Sequence, residues 1–229
     1  MEIEKEPLKS VETLSQFLRI ALLILAGIDF IAILSGTWLV VTYANLPDDA
    51  IFEDTFPVSE MINGGVGIIQ ALFTISIMIV FGVWLYRMTF NLRQLSPKPM
   101  EMTPGWMVGW YFIPFANLIK PFQGMKELWQ VSHRDWEANP DILRWWWGFW
   151  IFANSVSNGA SRALRNADTI NSYLFGASAF VVSDILGVAL DLVAYSIVTS
   201  IWLAYEKNYI KYVEESDGFN SFKVETKSF

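Results

Sequence analysis

Three aspartates stand inside stretches that are otherwise apolar: Asp29 midway along Phe17–Ala44, and Asp184 and Asp191 within Tyr173–Tyr205. An acid placed in hydrocarbon costs about 2.5–3.5 kcal/mol on insertion scales, so such residues face a bundle interior, water or a partner. Asp184 and Asp191 share one helical face and lie about 10.5 Å apart along it. No lysine, arginine or histidine sits deep enough in the apolar stretches to pair with them. The acids must then be protonated, hydrated, or bonded to hydroxyls such as Ser183, Tyr195 or Thr199. Two chemistries follow: a proton or cation pathway, or polar contacts that hold helices together.

A second polar group, Arg87, Asn91, Asn117, Lys120 and Glu127, surrounds the stretch Thr103–Pro121, TPGWMVGWYFIPFANLIKP. Pro114 breaks a helical hydrogen-bond ladder there, and Asn117 stands where it can satisfy a freed carbonyl. Lys120 and Glu127 are two helical turns apart, so they can pair; alternatively Lys120 meets a lipid phosphate. These five are a candidate polar or head-group site. The competing role is structural, pinning the broken segment against the helix that follows.

The elements that position both groups are membrane elements. Of the 229 residues 53% are hydrophobic and 17% charged, with a mean hydropathy of +0.35; a soluble domain carries nearer a quarter charged residues. Gly65–Tyr86 is uncharged throughout and long enough to cross a hydrocarbon core of roughly 30 Å. The fold expected is an all-α integral membrane protein with four transmembrane helices. They are Phe17–Ala44, Val66–Arg87, Asp141–Val156 with an extension to about Asn158, and Tyr173–Tyr205. Around this domain, 17–205, lie a polar N-terminal segment, 1–16, and a charged C-terminal tail, 206–229.

Three further segments carry expectations of their own. The acidic loop Asn45–Gly64 ends on a helix-breaking Asn63-Gly64-Gly65. In Thr103–Pro121 only about 15 residues separate Pro104 from Lys120, about 23 Å of helical rise, too short to cross, and the stretch suits a re-entrant or interfacial hairpin. Residues 121–132 read as an amphipathic surface helix opened by Pro121. After the third span a polar loop should run to Ser172, with Asn154, Asn158 and Arg162 forming a stripe at the membrane exit. The lone His133 falls in a polar linker, where it should be solvated.

Topology follows from charge. If Thr103–Pro121 dips and returns, only Arg162 and Arg165 of the 16 lysines and arginines lie outside; if it crosses, the charges divide evenly. The bias favours the dip, with both termini cytoplasmic.

The segments Trp84–Leu95, WLYRMTFNLRQL, and Thr103–Trp129, TPGWMVGWYFIPFANLIKPFQGMKELW, resemble the signature of a bacterial membrane family, domain-of-unknown-function family 4328. The flanking spans, including the tryptophan-rich Trp145–Trp150, are compatible with that family's layout. The resemblance implies a small bacterial helical membrane domain and supplies no catalytic residues.

Other classes are disfavoured. With a net charge of −7 and no basic stripe, nucleic acid is not an expected partner. There is no cysteine and one histidine, so neither a thiolate nor a histidine-built metal or haem site is expected. Phosphate-loop and nucleophile-elbow patterns are missing from the sequence. No cofactor is expected. The first expectation is a non-enzymatic interaction or assembly component of a bacterial inner membrane, multi-pass, whose partners are the lipid bilayer and copies of itself or another membrane protein. The alternatives are a small ion- or proton-linked transporter or channel using the aspartates, and a lipid-modifying membrane enzyme with Lys120 and Glu127 at the head groups.

Overall fold

The computed structural model describes residues 8–46 and 57–210, and among them every regular element is helical. The elements are α1 (Glu12–Ala44), α2 (Val58–Leu95), α3 (Pro104–Gly109), 3-10 turns at Trp110–Phe112 and Ala116–Leu118, α4 (Lys120–His133), α5 (Asp141–Arg165) and α6 (Ile170–Tyr205), which ends in a π turn, Glu206–Ile210. Residues 47–56 of the acidic loop, the first residues and the tail beyond Ile210 lie outside the described residues.

Three helices are long and apolar enough to cross a membrane: α1, α2, and α6 with its terminal turn. On α2 Ile68, Leu72, Met78 and Ile79 are exposed, a continuous apolar surface of the kind that faces lipid. The fourth expected span, now α5, is amphipathic. Leu143, Trp146, Trp147, Ala153 and Ala160 are buried at helical spacing, while Asn154, Asn158 and Arg162 are exposed.

Two sequence expectations about helix ends need correction. The α2 helix runs straight through Asn63-Gly64-Gly65. Glycine there costs about 1 kcal/mol against alanine, but Ser35 Oγ donates to Asn63 Oδ1 at 3.0 Å and holds the first turns to α1. The α5 helix likewise continues to Arg165, so the loop before α6 is short. Its polar residues extend the helix because Asn154 and Asn158 turn back to the carbonyls of Trp150 and Asn154, both at 2.8 Å. Thr169 and Ser172 then open α6 by a reciprocal cap. The Ser172 N–H donates to Thr169 Oγ1 at 3.2 Å and the Thr169 N–H to Ser172 Oγ at 3.1 Å, leaving fewer orphan donors at the helix start.

The chain divides into two compact units. One comprises 1–17, 81–143 and 196–229. Within it Trp84, Met88 and Leu92 are fully buried along one face of α2, as are Met125 and Leu128 of α4 and Ile197 and Ile201 of α6. Polar ties join these elements. Trp84 Nε1 donates to Ser15 Oγ at 2.8 Å, Tyr209 OH donates to the Val131 carbonyl at 2.7 Å, and Asn208 Nδ2 donates to the Ser132 carbonyl at 3.0 Å. Asn91, with no exposed surface, accepts from the Lys9 N–H at 2.8 Å and donates to the Lys9 carbonyl at 2.7 Å and to Tyr205 OH at 3.1 Å.

The signature stretch is built in this unit. Thr103 caps α3, accepting from the Trp106 N–H at 3.3 Å, and Pro104 occupies its first turn, where a missing N–H does no harm. The chain reverses at Pro114-Phe115. The Ala116 N–H donates to the Pro114 carbonyl at 2.8 Å around Phe115, whose φ is 63° and ψ −45°, the strained positive-φ γ-turn. Phe112 and Phe115 are 79% and 86% exposed, and Leu118 and Ile119 are exposed beside them. Where α3 meets α4, a Cβ on Gly124 would lie 2.7 Å from Met107 Sδ, so any larger residue there would displace the methionine side chain.

The other unit comprises 18–80 and 144–195. Leu39, Tyr43 and Ala177 form a buried cluster there, with the Tyr43 and Tyr173 rings 4.5 Å apart and Tyr43 OH donating to the Glu60 carboxylate.

Candidate functional site

The three intramembrane acids belong to the second unit, and the structure brings them to one cavity. Asp29 of α1 and Asp191 of α6 are 5% and 7% exposed, and Asp184 is half-buried. All three line a cavity of about 320 Å³, together with Gln70 and Thr74 of α2 and Asn154 and Ser157 of α5. A second cavity of about 290 Å³ shares Gln70, Phe180 and Asp184 as a common wall and extends to Asn63, Gly64, Gly67 and Tyr173. The two run along α6 from Tyr173 to Asp191, about 27 Å of helical rise.

Gln70 is the residue that organises the acids. Its Nε2 donates to Asp29 Oδ1 at 2.9 Å and to Asp184 Oδ1 at 3.0 Å, one N–H to each. Its backbone is fixed in turn by Thr74, whose hydroxyl donates to the Gln70 carbonyl at 2.8 Å. Asp191 differs: its Oδ2 is buried and has no hydrogen-bond partner among the described residues. Among those residues no group of three or more His, Cys, Asp or Glu side chains is placed to hold a metal ion. The arrangement supplies acids that can take and release protons, joined by a neutral amide.

Gly187, between Asp184 and Asp191, makes the geometry possible. A Cβ there would overlap Asp29 Oδ2, so the carboxyl packs directly on the α6 backbone. Gly187→Ala, which stabilises an ordinary helix by about 0.8–1.0 kcal/mol, is expected here to destabilise by about 1–2 kcal/mol, because overpacking outweighs propensity. Thermal unfolding in detergent measures the sign. Asp29→Ala in the same chain should restore the normal stabilising effect, and a higher unfolding temperature for Gly187→Ala alone would contradict the close contact.

The sequence anticipated Asp184 and Asp191 sharing one face, but it did not identify the partner. The expected hydroxyls, Ser183, Tyr195 and Thr199, give way to Gln70, the only carboxamide in Gly65–Tyr86. An amide at mid-span was the signal available.

The signature residues are dispersed through the first unit. Arg87 donates to the Ser10 carbonyl at 3.0 Å, and Asn91 holds Lys9 and Tyr205 as described. The Pro114 carbonyl accepts from the Ala116 N–H, while Asn117 Oδ1 is buried without a partner among the described residues. Lys120 and Glu127 do not pair. The Glu127 carboxylate accepts from the backbone N–H groups of Glu101 and Met102, and Lys120 Nζ stands 5.7 Å from the centre of the Trp110 ring. Both nevertheless border one groove, described below. His133 is not a solvated linker residue. It closes α4, stacks on Trp129 with ring centres 4.3 Å apart, and places Nε2 3.1 Å from Ser200 Oγ.

The fold and the acid-lined cavity thus define a helical chain with three helices able to cross a membrane and a polar interior among its helices. The chain belongs to the family described as Domain of unknown function (DUF4328), whose model matches residues 47–202, well over half of its length. Gln70, Asp184 and Asp191 fall within the matched residues, and Asp29 precedes them. No curated protein and no solved structure matches the chain.

Proposed function

We propose that this protein crosses a bacterial inner membrane four times, with both termini cytoplasmic, and passes protons through the cavity formed by its intramembrane acids. The observation that carries the reading is Gln70 bridging Asp29 and Asp184 in the cavity that also holds the unpartnered Asp191. A carboxamide both donates and accepts. It can therefore solvate a carboxylate, or turn and accept from the protonated acid, so a proton can be held and released without leaving a buried charge unsolvated. Buried ionisable groups that face a cavity inside a bundle are the usual components of a proton relay.

The fourth crossing is α5. Its length corresponds to about 37 Å, and Asn154 and Ser157 border the acid cavity, so part of its polar face meets that cavity. Thr103–Pro121 dips into the membrane and returns; the exposed Phe112, Phe115, Leu118 and Ile119 support this. Lys98 then lies on the cytoplasmic side and Asn166 outside. Cysteines introduced at these positions should react differently with an impermeant thiol reagent added to spheroplasts, Asn166→Cys labelling and Lys98→Cys not. Failure of Asn166→Cys to label from outside would restore a crossing at the signature and overturn the topology.

Interaction or assembly, the first expectation from the sequence, fits a chain with homo-oligomeric or membrane-protein partners. Packing alone, however, has no use for a buried carboxylate oxygen without a partner, and that favours the proton pathway. The test is reconstitution into liposomes holding a pH-sensitive dye. An imposed pH gradient, with potassium and valinomycin clamping the potential, should collapse faster than in protein-free liposomes. Equal rates would overturn the proposal.

A further inference from the structure

A second site lies in the first unit. We propose that the groove between the linker preceding α3 and the helix α4 binds a phosphate group, through Lys98, Lys120 and Lys126. This is independent of the proton pathway. The groove has a volume of about 420 Å³ and is lined by these lysines with Gln123, Glu127 and Trp136 among its other residues; small-ligand sites span roughly 300–1,000 Å³.

Charge is the first argument. None of the three lysines forms an ion pair among the described residues, although two carboxylates, Glu101 and Glu127, border the same groove. Glu127 is otherwise engaged, since both of its oxygens accept backbone N–H groups, those of Glu101 and Met102. Lys98 Nζ rests 4.8 Å from the centre of the Trp136 ring and Lys120 Nζ 5.7 Å from that of Trp110. An aromatic face steadies an ammonium group without neutralising it. Three positive groups are thus held at one groove with their charge unspent.

Construction is the second argument. The linker that carries Lys98 is fixed from both sides. Arg93 Nη1 donates to the carbonyls of Met100 at 2.7 Å and Met102 at 3.0 Å, while Glu127 takes the N–H groups of the same turn. Gln130 Nε2 donates to the Ala138 carbonyl at 2.8 Å and secures the far wall. A linker clamped through both its carbonyls and its amides is preorganised, so little ordering entropy is lost on binding.

The charge and the setting together select the ligand. A phosphate monoester carries about −1.5 to −2 near neutral pH and three acceptor oxygens, matching three ammonium donors better than a carboxylate would. Lys120 also directly follows the exposed apolar pair Leu118 and Ile119, which suits a phosphate bearing acyl chains as well as a free one.

The test uses the full chain in two settings. In phosphatidylcholine nanodiscs, phosphatidic acid is added and its retention followed by native mass spectrometry, with diacylglycerol as the neutral comparison. In detergent, inorganic phosphate is titrated by calorimetry. Lys98→Gln, Lys120→Gln and Lys126→Gln should each weaken binding about fivefold, whereas Lys126→Arg and Lys207→Gln, the latter outside the groove, should not. Phosphatidic acid retained with no calorimetric response to phosphate assigns the group to a lipid; a response to inorganic phosphate assigns it to a soluble ligand. Binding of neither, or equal weakening by Lys207→Gln, would overturn the site.

Discussion

Asp191→Asn is expected to abolish pH-driven flux in liposomes while leaving the unfolding temperature nearly unchanged. Asparagine keeps the shape of aspartic acid and its capacity to hydrogen-bond, but it cannot ionise. The native side chain is 7% exposed, and its Oδ2 contacts no donor among the described residues. No stabilising bond is therefore lost with the carboxylate oxygen, and the fold should tolerate the amide, with a change within about 1 kcal/mol. A relay has no such tolerance, because one member that cannot take up a proton interrupts it. The pair of measurements separates the two readings of the acids. Flux lost with melting retained supports conduction. Flux retained shows that Asp191 is packing alone and that protons take another route.

Asn91→Leu should have the largest effect on stability, lowering it by about 3 kcal/mol or more. The side chain is fully buried and closes three hydrogen bonds, two to the Lys9 backbone and one to Tyr205 OH. Leucine fills a similar volume but leaves an N–H, a carbonyl and a hydroxyl without their partner, each costing about 1–3 kcal/mol when buried. Because the lost bonds join the segment before α1 to α2 and α6, proteolysis near Lys9 should accelerate as the unfolding temperature falls. Asn91→Asp, which retains the acceptor for the Lys9 N–H, should lie between the two. Unchanged melting of Asn91→Leu would mean that this junction does not support the fold.

The helices were legible in the sequence because apolar runs long enough to cross a bilayer have few other uses. The shared face of Asp184 and Asp191 was legible for the same reason, since periodicity fixes it. Helix limits were harder. Asn63-Gly64-Gly65 reads as a break, and the polar segment from about Asn158 to Ser172 as a loop, from tendencies learned in water. Here a hydroxyl from α1 and side chains folded back on carbonyls keep both helices intact. The acid site was half legible. Gln70 reads as an isolated polar residue in an apolar run, and only the packing of α1 and α6 beside α2 turns it into a bridge. Lys120 and Glu127 show the limit of spacing arguments. Two turns of helix make a pair available, but the irregular linker offers Glu127 unsatisfied backbone donors, and no periodicity reports where a linker folds.

The turn at Phe115 has a bearing on how this chain has been shaped. A non-glycine residue held at φ 63°, ψ −45° carries on the order of 1–3 kcal/mol of strain. A single codon change toward a smaller, more permissive residue would relieve part of it. Nothing inside the folded unit recovers that energy through the ring, which is 86% exposed. Selection for folding alone would therefore discard an aromatic residue here. If the tip dips into the membrane as proposed, a ring entering acyl chains regains what the turn gives up.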